Sequence, residues 1–162
     1  MINVLITGGL HAFAQRVART LPTEEYAVTF GDAQAIPELM LHSGKYLSLP
    51  FYTRPTFSHE MLKLALAHSF EIIVPLMQGE IIQLAESKVL FEEYGIQVAV
   101  PLKQTHSMIN FLLNPAKELQ PTLVLHGKPI GEQHAAPLMP TDLSGVCVLS
   151  DSAQEALFCC LR

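Results

Sequence analysis

Residues 2–32 read INVLITGGLHAFAQRVARTLPTEEYAVTFGD and decide the fold. An apolar run predicts a first strand, which ends in the paired glycines Gly8 and Gly9. Apolar residues at helical spacing then lead to a second apolar run that closes on Asp32. The sequence of strand, glycine turn, amphipathic helix and strand predicts a βαβ unit.

The glycine turn is the first candidate ligand site. A βαβ unit aims backbone N–H groups and a helix N-terminus at this spot, which suits a small anionic molecule. A dinucleotide site carries Gly-x-Gly-x-x-Gly, but Gly8 is followed by GLHAF and has no glycine in register. Two interpretations stay open: a tight turn only, and a turn that holds a phosphate or carboxylate with His11 beside it.

Asp32 ends the second predicted strand and also allows two interpretations. In a dinucleotide enzyme an acid at this place binds ribose hydroxyls. Alternatively, its side chain caps a helix that begins near Ala33. Because the glycine motif is incomplete, we favour capping.

The alternation of strands and helices continues to about residue 113. Further strands are expected at 45–50, 71–76 and 97–101, and further helices at 33–42, 56–69, 79–94 and 105–113. This pattern predicts an α/β fold, a Rossmann-like open parallel sheet with helices on both faces in three αβα layers. Residues 1–114 are predicted to form this domain.

Residues 115–162 do not continue this regular alternation, because five prolines interrupt them. A hairpin from Thr122 to Ile130 and a strand from Gly145 to Leu149 are expected. A helix is expected to follow, up to the C-terminus. We therefore expect either an appended small αβ unit or extra strands on the sheet edge. We predict a Pro-rich αβ extension packed on the same domain, with edge strands and a terminal helix.

Gln78, Gly79 and Glu80 follow the fourth predicted strand directly. Ligands of open α/β sheets bind at the carboxyl ends of the strands, which makes Gln78 and Glu80 candidate binding residues. An acid in the first turn of a helix also stabilises the helix dipole. Both interpretations stay open for Glu80.

Composition excludes several classes of protein. The net charge is -5 and the ten Lys and Arg residues are scattered, which argues against a nucleic-acid surface. No apolar run reaches the roughly 18 residues that span a bilayer, and the apolar N-terminus lacks the basic flank of a signal peptide. We expect a cytoplasmic protein without a membrane contact, whose three cysteines are buried free thiols.

No catalytic residue and no metal site are assigned from the sequence. The seven histidines show no His-x-x-x-His or Glu-x-x-x-His pair within one helix. The serines offer no Gly-x-Ser-x-Gly motif, and no cysteine follows a strand of the predicted parallel sheet.

Four segments resemble a known family when they are taken as a series. They read VLITGG at 4–9, GKYLSLP at 44–50, FEIIVPLMQGE at 70–80 and FEEYGIQVAVP at 91–101. Over residues 2–113 the chain is similar to the pre-ATP-grasp domain, the N-terminal Rossmann-like module of ATP-grasp enzymes related to the carbamoyl-phosphate synthase large chain and biotin carboxylase.

The resemblance implies a substrate pocket to which Gly8, Gly9 and Glu80 contribute. In that family an adjoining ATP-grasp domain binds ATP and magnesium and forms an acyl phosphate. This chain departs from the pattern at 106–110, where HSMIN replaces the usual Asp-Lys pair, and its 162 residues leave no room for an ATP-grasp domain. We therefore expect that the chain alone is not a ligase.

The expected function is a non-catalytic module that binds a small ligand, a separately encoded ATP-grasp subunit, or a second copy of itself as a homodimer. No cofactor is required, although a nucleotide is compatible with the fold. The alternative is a nucleotide-binding or NAD(P)-binding Rossmann protein, a small oxidoreductase or regulator, that uses Gly8, Gly9 and Asp32.

Overall fold

The chain forms an α/β structure with two five-stranded sheets. The computed structural model describes residues 1–102, 110–131, 141–149 and 156–162. In chain order the elements are β1 (Ile2–Ile6), α1 (Ala12–Ala18), β2 (Tyr26–Asp32), α2 (Glu38–His42), β3 (Tyr46–Ser48), α3 (Phe57–Ala67), β4 (Ile72–Val74), α4 (Gln78–Glu86), α5 (Lys88–Glu93), β5 (Gln97–Val98), β6 (Phe111–Leu113), β7 (Thr122–Leu125), β8 (Lys128–Ile130), β9 (Gly145–Leu149) and β10 (Ala156–Cys160).

The first sheet is parallel throughout and has the strand order β3-β2-β1-β4-β5. Val4 of the central strand β1 pairs with Val28 on one side and with Ile72 on the other. The chain therefore adds β2 and β3 on one side of β1, and then crosses over to add β4 and β5 on the other side. This reversal between β1 and β4 opens a crevice at the carboxyl ends of the two strands.

The second sheet is mixed and has the strand order β6-β10-β9-β7-β8. The predicted hairpin is confirmed, and so is the predicted strand at Gly145–Leu149. Between β7 and β8 the turn residues His126 and Gly127 have φ angles of 49° and 75°. Two central residues with positive φ fit the twist of a two-residue hairpin, where glycine is strongly favoured.

Two predicted helices are wrong where the structure describes them. Ala156–Cys160 is strand β10, which lies between β9 and β6, and no terminal helix includes these residues. Phe111–Leu113 is strand β6 instead of the end of a helix, while 105–109 and 150–155 lie outside the described residues. Both segments are short apolar runs, in which a strand buried on both faces cannot be distinguished from a buried helix.

The two sheets share a hydrophobic core. Val4, Ile6 and Val74 of the parallel sheet pack against α1 and against the apolar side chains of β7, β9 and β10. Leu5 and Ile73 point to the opposite face, which α3, α4 and α5 cover. The expected helical layer on the first face is thus replaced in large part by the second sheet. The expected edge strands are wrong, because they form this separate sheet.

The long helix predicted at 79–94 is interrupted at Ser87, where α4 ends and α5 begins. A hydrogen bond of 2.9 Å joins Ser87 Oγ to Ser58 Oγ of α3. Val89 of α5 is 68% exposed. Gly95, with a φ of 75°, follows α5 and provides the left-handed residue at which helices often end. Among the described residues, no helix is long and apolar enough to cross a membrane.

Arg16 fastens the segment between β6 and β7 to α1. Its guanidinium donates hydrogen bonds to the carbonyl oxygens of Pro115, Ala116 and Leu119. Its Cζ also lies 5.3 Å from the centre of the Phe13 ring. The planar guanidinium, with five N–H donors, suits such multiple bonding to carbonyl groups.

We predict that Arg16→Ala lowers the free energy of unfolding by about 1–2 kcal/mol, because three carbonyl groups lose a charged donor. Arg19→Ala is the matched control, since Arg19 is exposed near the end of the same helix. We expect the control to change stability by less than about 0.5 kcal/mol. Urea unfolding measures both variants, and equal losses in the two would contradict the role given to Arg16.

Candidate functional site

Thr7 joins the ends of β1 and β4 at the reversal of the parallel sheet. Its backbone N–H donates to the Val74 carbonyl oxygen at 3.1 Å, and its Oγ1 accepts a hydrogen bond of 2.9 Å from the Leu76 N–H. The residue is fully buried. The hydroxyl hydrogen of Thr7 is therefore directed to a neighbour inside the protein.

That neighbour is Glu80, in the first turn of α4. The Thr7 hydroxyl acts on this carboxyl as a hydrogen-bonding group that favours its charged form, and the residue is only 3% exposed. Within the described part of the chain, Glu80 Oε2 has no hydrogen-bond partner. A buried carboxyl oxygen without a partner is unusual, because desolvation is costly when no hydrogen bond compensates it.

Burial raises the pKa of Glu80 to about 7, from the ordinary value of 4.5. The hydrogen bond from Thr7 stabilises the charged form and offsets part of this rise, whereas the negative charge of Asp32 adds to it. The carboxyl thus changes its protonation state near neutral pH. Such a group can accept a hydrogen bond when charged and donate one when protonated.

The glycine turn is held by internal hydrogen bonds. The N–H groups of Gly9, Leu10 and His11 donate to Gly31 O at 2.9 Å, to Asp32 Oδ2 at 3.1 Å and to Gly8 O at 2.9 Å. Three donors of the turn are therefore used inside the protein, one of them by a carboxylate.

Gly9 lies very close to β2. A Cβ atom at Gly9 would be 2.7 Å from Phe30 Cβ, closer than real Cβ atoms approach, and a tight 3.1 Å from the Gly31 nitrogen. The paired glycines thus have a structural reason, since Gly8 has a φ of 61° and Gly9 has no space for a side chain. Whether the turn also holds an anion stays a prediction.

Asp32 links the glycine turn to the end of β2. It is 6% exposed, and its Oδ1 accepts a hydrogen bond of 3.0 Å from the Gln34 N–H while Oδ2 accepts the one from Leu10. The prediction that Asp32 caps a helix near Ala33 is wrong, because the next helix, α2, begins at Glu38. The carboxylate stabilises the turn, and a bond to ribose stays a prediction.

Leu161 covers the crevice from the side of the second sheet. Its N–H donates to Leu76 O at 2.6 Å, and its carbonyl oxygen accepts a hydrogen bond of 2.8 Å from the Gln78 N–H. A Cβ atom on Gly8 would lie 3.2 Å from Leu161 Cδ1 and 3.3 Å from Met77 Sδ. Leu161 was not among the predicted site residues, because no local pattern predicts a contact between residues more than eighty positions apart.

The remaining candidates lie around the same edge. His11 is the residue before α1, is half-buried, and its Cδ2 would be 3.7 Å from a Cβ on Gly8, so it does lie beside the glycine turn. Gln78 is the first residue of α4 and is also half-buried. The ring of Tyr52 lies against Gly79, which leaves no space for a side chain there.

The three cysteines are free and buried, as predicted. Burial raises the pKa of the Cys159 thiol to about 11, so the thiol is not ionised near neutral pH. Among the described residues, no group of three His, Cys, Asp or Glu side chains is placed to hold a metal ion.

No protein family and no curated protein matches this sequence in the comparisons made. A site at the sheet reversal is therefore inferred from the contacts of Thr7, Gly8 and Glu80.

The raised pKa of Glu80 predicts that the protein loses stability as the pH rises. Between about pH 4.5 and 7 the folded protein holds a proton on Glu80 that the unfolded chain has lost, so the free energy of unfolding falls with rising pH. The stabilisation that arises from the raised pKa of Glu80 is fully present below this pH window and is lost above it. It amounts to about 3 kcal/mol at most.

Urea unfolding of the natural protein and of Glu80→Gln between pH 4.5 and 8 measures this effect. The neutral amide removes the titration, so we expect Glu80→Gln to gain stability relative to the natural protein as the pH rises. Glu93→Gln, at an exposed position in α5, is the control. We expect its free energy of unfolding to differ from that of the natural protein by the same amount at every pH. A constant difference for Glu80→Gln as well would contradict the burial argument.

Proposed function

We propose that the chain is a Rossmann-like module of the pre-ATP-grasp kind, which binds a small ligand at the reversal of its parallel sheet and works with a partner protein. The strand order β3-β2-β1-β4-β5 supports this, because it is the order in which Rossmann domains are built. The position of Glu80 agrees with the pocket acid that the resemblance implies.

The observation that carries the proposal is the unpartnered Oε2 of the buried Glu80. Functional sites are where proteins retain buried groups with strongly shifted pKa values. The Thr7 side chain lies beside the carboxyl and favours its charged form, and Gly8 brings the backbone close to Leu161 and Met77 without a side chain of its own. The free oxygen then serves as an acceptor for a donor group of the ligand.

The charges of the site favour a ligand that donates hydrogen bonds. Asp32 and Glu80 are both acidic and interact with each other, and the glycine-turn N–H groups of Gly9, Leu10 and His11 are already bonded. An amine, amide or alcohol group meets these conditions better than an anion does. An amine gains most, because a bond between an ammonium group and an ionised carboxylate is charge-assisted.

The proposed partner is a separately encoded ATP-grasp subunit, with a homodimer as the other possibility. Phe51 and Tyr52 are exposed in the loop after β3, and Tyr52 packs on Gly79, so an apolar surface borders the proposed site. Light scattering distinguishes the two partners, since only a homodimer forms from the chain alone. The buried free thiols fit a cytoplasmic location, which is part of the proposal.

The second candidate function is binding of a nucleotide or NAD(P). It is favoured by the strand order and by the position of Asp32 at the end of β2. It is weakened by the internal bonds of both Asp32 oxygens, which a ribose would have to share.

Thermal unfolding in the presence of candidate ligands tests the proposal. The probes are ammonium chloride, ethylamine, acetamide, sodium acetate, ATP and NADH, at matched ionic strength. We expect a concentration-dependent rise in Tm with at least one amine or amide probe, and the loss of this rise in Glu80→Gln but not in Glu93→Gln. A rise with NADH that disappears in Asp32→Ala would overturn the proposal in favour of the second candidate.

A further inference from the structure

A cleft between α1 and the segment that follows β6 gathers positive charge. It has a volume of about 520 Å³ and is lined by Arg16 and Arg19 from the helix and by Lys117 from the opposite wall. The protein has only ten Lys and Arg residues and a net charge of -5. Three of these ten cations line one cleft whose described lining includes no acidic side chain.

The walls of this cleft are fixed before any ligand arrives. Three of the five N–H donors of Arg16 bind the carbonyl oxygens of Pro115, Ala116 and Leu119, which holds the outer wall against the helix. A preformed wall lowers the entropy that a ligand loses on binding.

The exposed cations of the cleft come from different segments of the chain. Arg19 follows the last turn of α1 and Lys117 lies in the outer wall, and both are exposed. Leu119 and Pro121 add apolar surface to the same lining. The volume falls in the range of about 300–1,000 Å³ that is typical of small-molecule sites.

We infer that this cleft binds a small oxyanion, a phosphate or carboxylate group on a short aliphatic body. Arg19 and Lys117 hold the anionic group, and Leu119 and Pro121 contact the aliphatic part. The inference is independent of the site at Glu80, where acidic side chains favour a donor ligand. The anion that the sequence suggested at the glycine turn thus has a better place in the cleft along α1, which Ala12, Gln15, Arg16 and Arg19 line.

Titration of the nitrogen-15-labelled protein with sodium phosphate and, separately, with sodium butyrate tests the inference. Sodium chloride holds the ionic strength constant, because exposed charges are screened by salt. We expect saturable shifts at the amides of Arg19, Thr20 and Lys117 with at least one of the two anions. The anion that saturates at lower concentration identifies the preferred head group.

Arg19→Gln and Lys117→Gln each remove one charge from the cleft, and we expect each to weaken binding about fivefold to tenfold. Lys63→Gln, at an exposed lysine of α3, is the matched control and keeps the affinity. Glu80→Gln also keeps the affinity, which separates this inference from the proposed function. Shifts that do not saturate, or Arg19→Gln and Lys117→Gln variants that bind as tightly as the natural protein, would overturn it.

Discussion

Two backbone hydrogen bonds at Leu161 fasten the second sheet to the carboxyl edge of the first. The Leu161 N–H donates to the Leu76 carbonyl oxygen, and the Leu161 carbonyl oxygen accepts from the Gln78 N–H. The chain just after β10 therefore pairs with the chain just after β4. The same contact fixes the first residue of α4 and places an apolar side chain over Gly8. The crevice at the sheet reversal is therefore closed on one side, and Glu80 lies at an edge that is shielded from water.

This enclosure explains the chemistry proposed for Glu80. In an environment of low polarity a hydrogen bond is stronger and an unpartnered polar atom is costlier than in water. The Thr7 side chain favours the charged form of the carboxyl, and within the described residues Oε2 has no partner. In our proposal, the acid that the sequence placed after the fourth strand is an acceptor for the ligand, and burial raises its pKa to about 7.

Helix α1 separates two regions of opposite charge. It begins next to the glycine turn, where Asp32 and Glu80 make the surroundings acidic. It ends beside the cleft of Arg16, Arg19 and Lys117. The proposed donor ligand and the proposed oxyanion therefore have different sites with different lining residues, and the two proposals do not compete for one site.

Local patterns predicted the parts of the fold that local forces determine. The opening βαβ unit follows from apolar spacing, and the β7–β8 hairpin follows from the turn residue Gly127. Strand β10 could not be predicted, because an apolar run buried on both faces has no distinguishing period. Its partners, β6 and β9, are also not adjacent to it in the sequence.

The site was predicted only in outline. Glu80 was placed correctly after the fourth strand. The effect of Thr7 on its carboxyl and the unpartnered oxygen were not predicted, because no sequence motif distinguished Thr7. The internal use of Asp32 depends on the close approach of Gly9 to β2, a distance that the sequence does not contain.

A pH titration of the carbon-13-labelled glutamate carboxyls by NMR tests the central claim most directly. Glu80→Gln assigns the signal, because it removes one resonance and leaves the others. We predict that this resonance titrates with a midpoint near pH 7, since burial raises the pKa of Glu80 to about 7. A midpoint near the ordinary 4.5 would show that the carboxyl is solvated, and it would contradict the buried acceptor on which the proposed function rests.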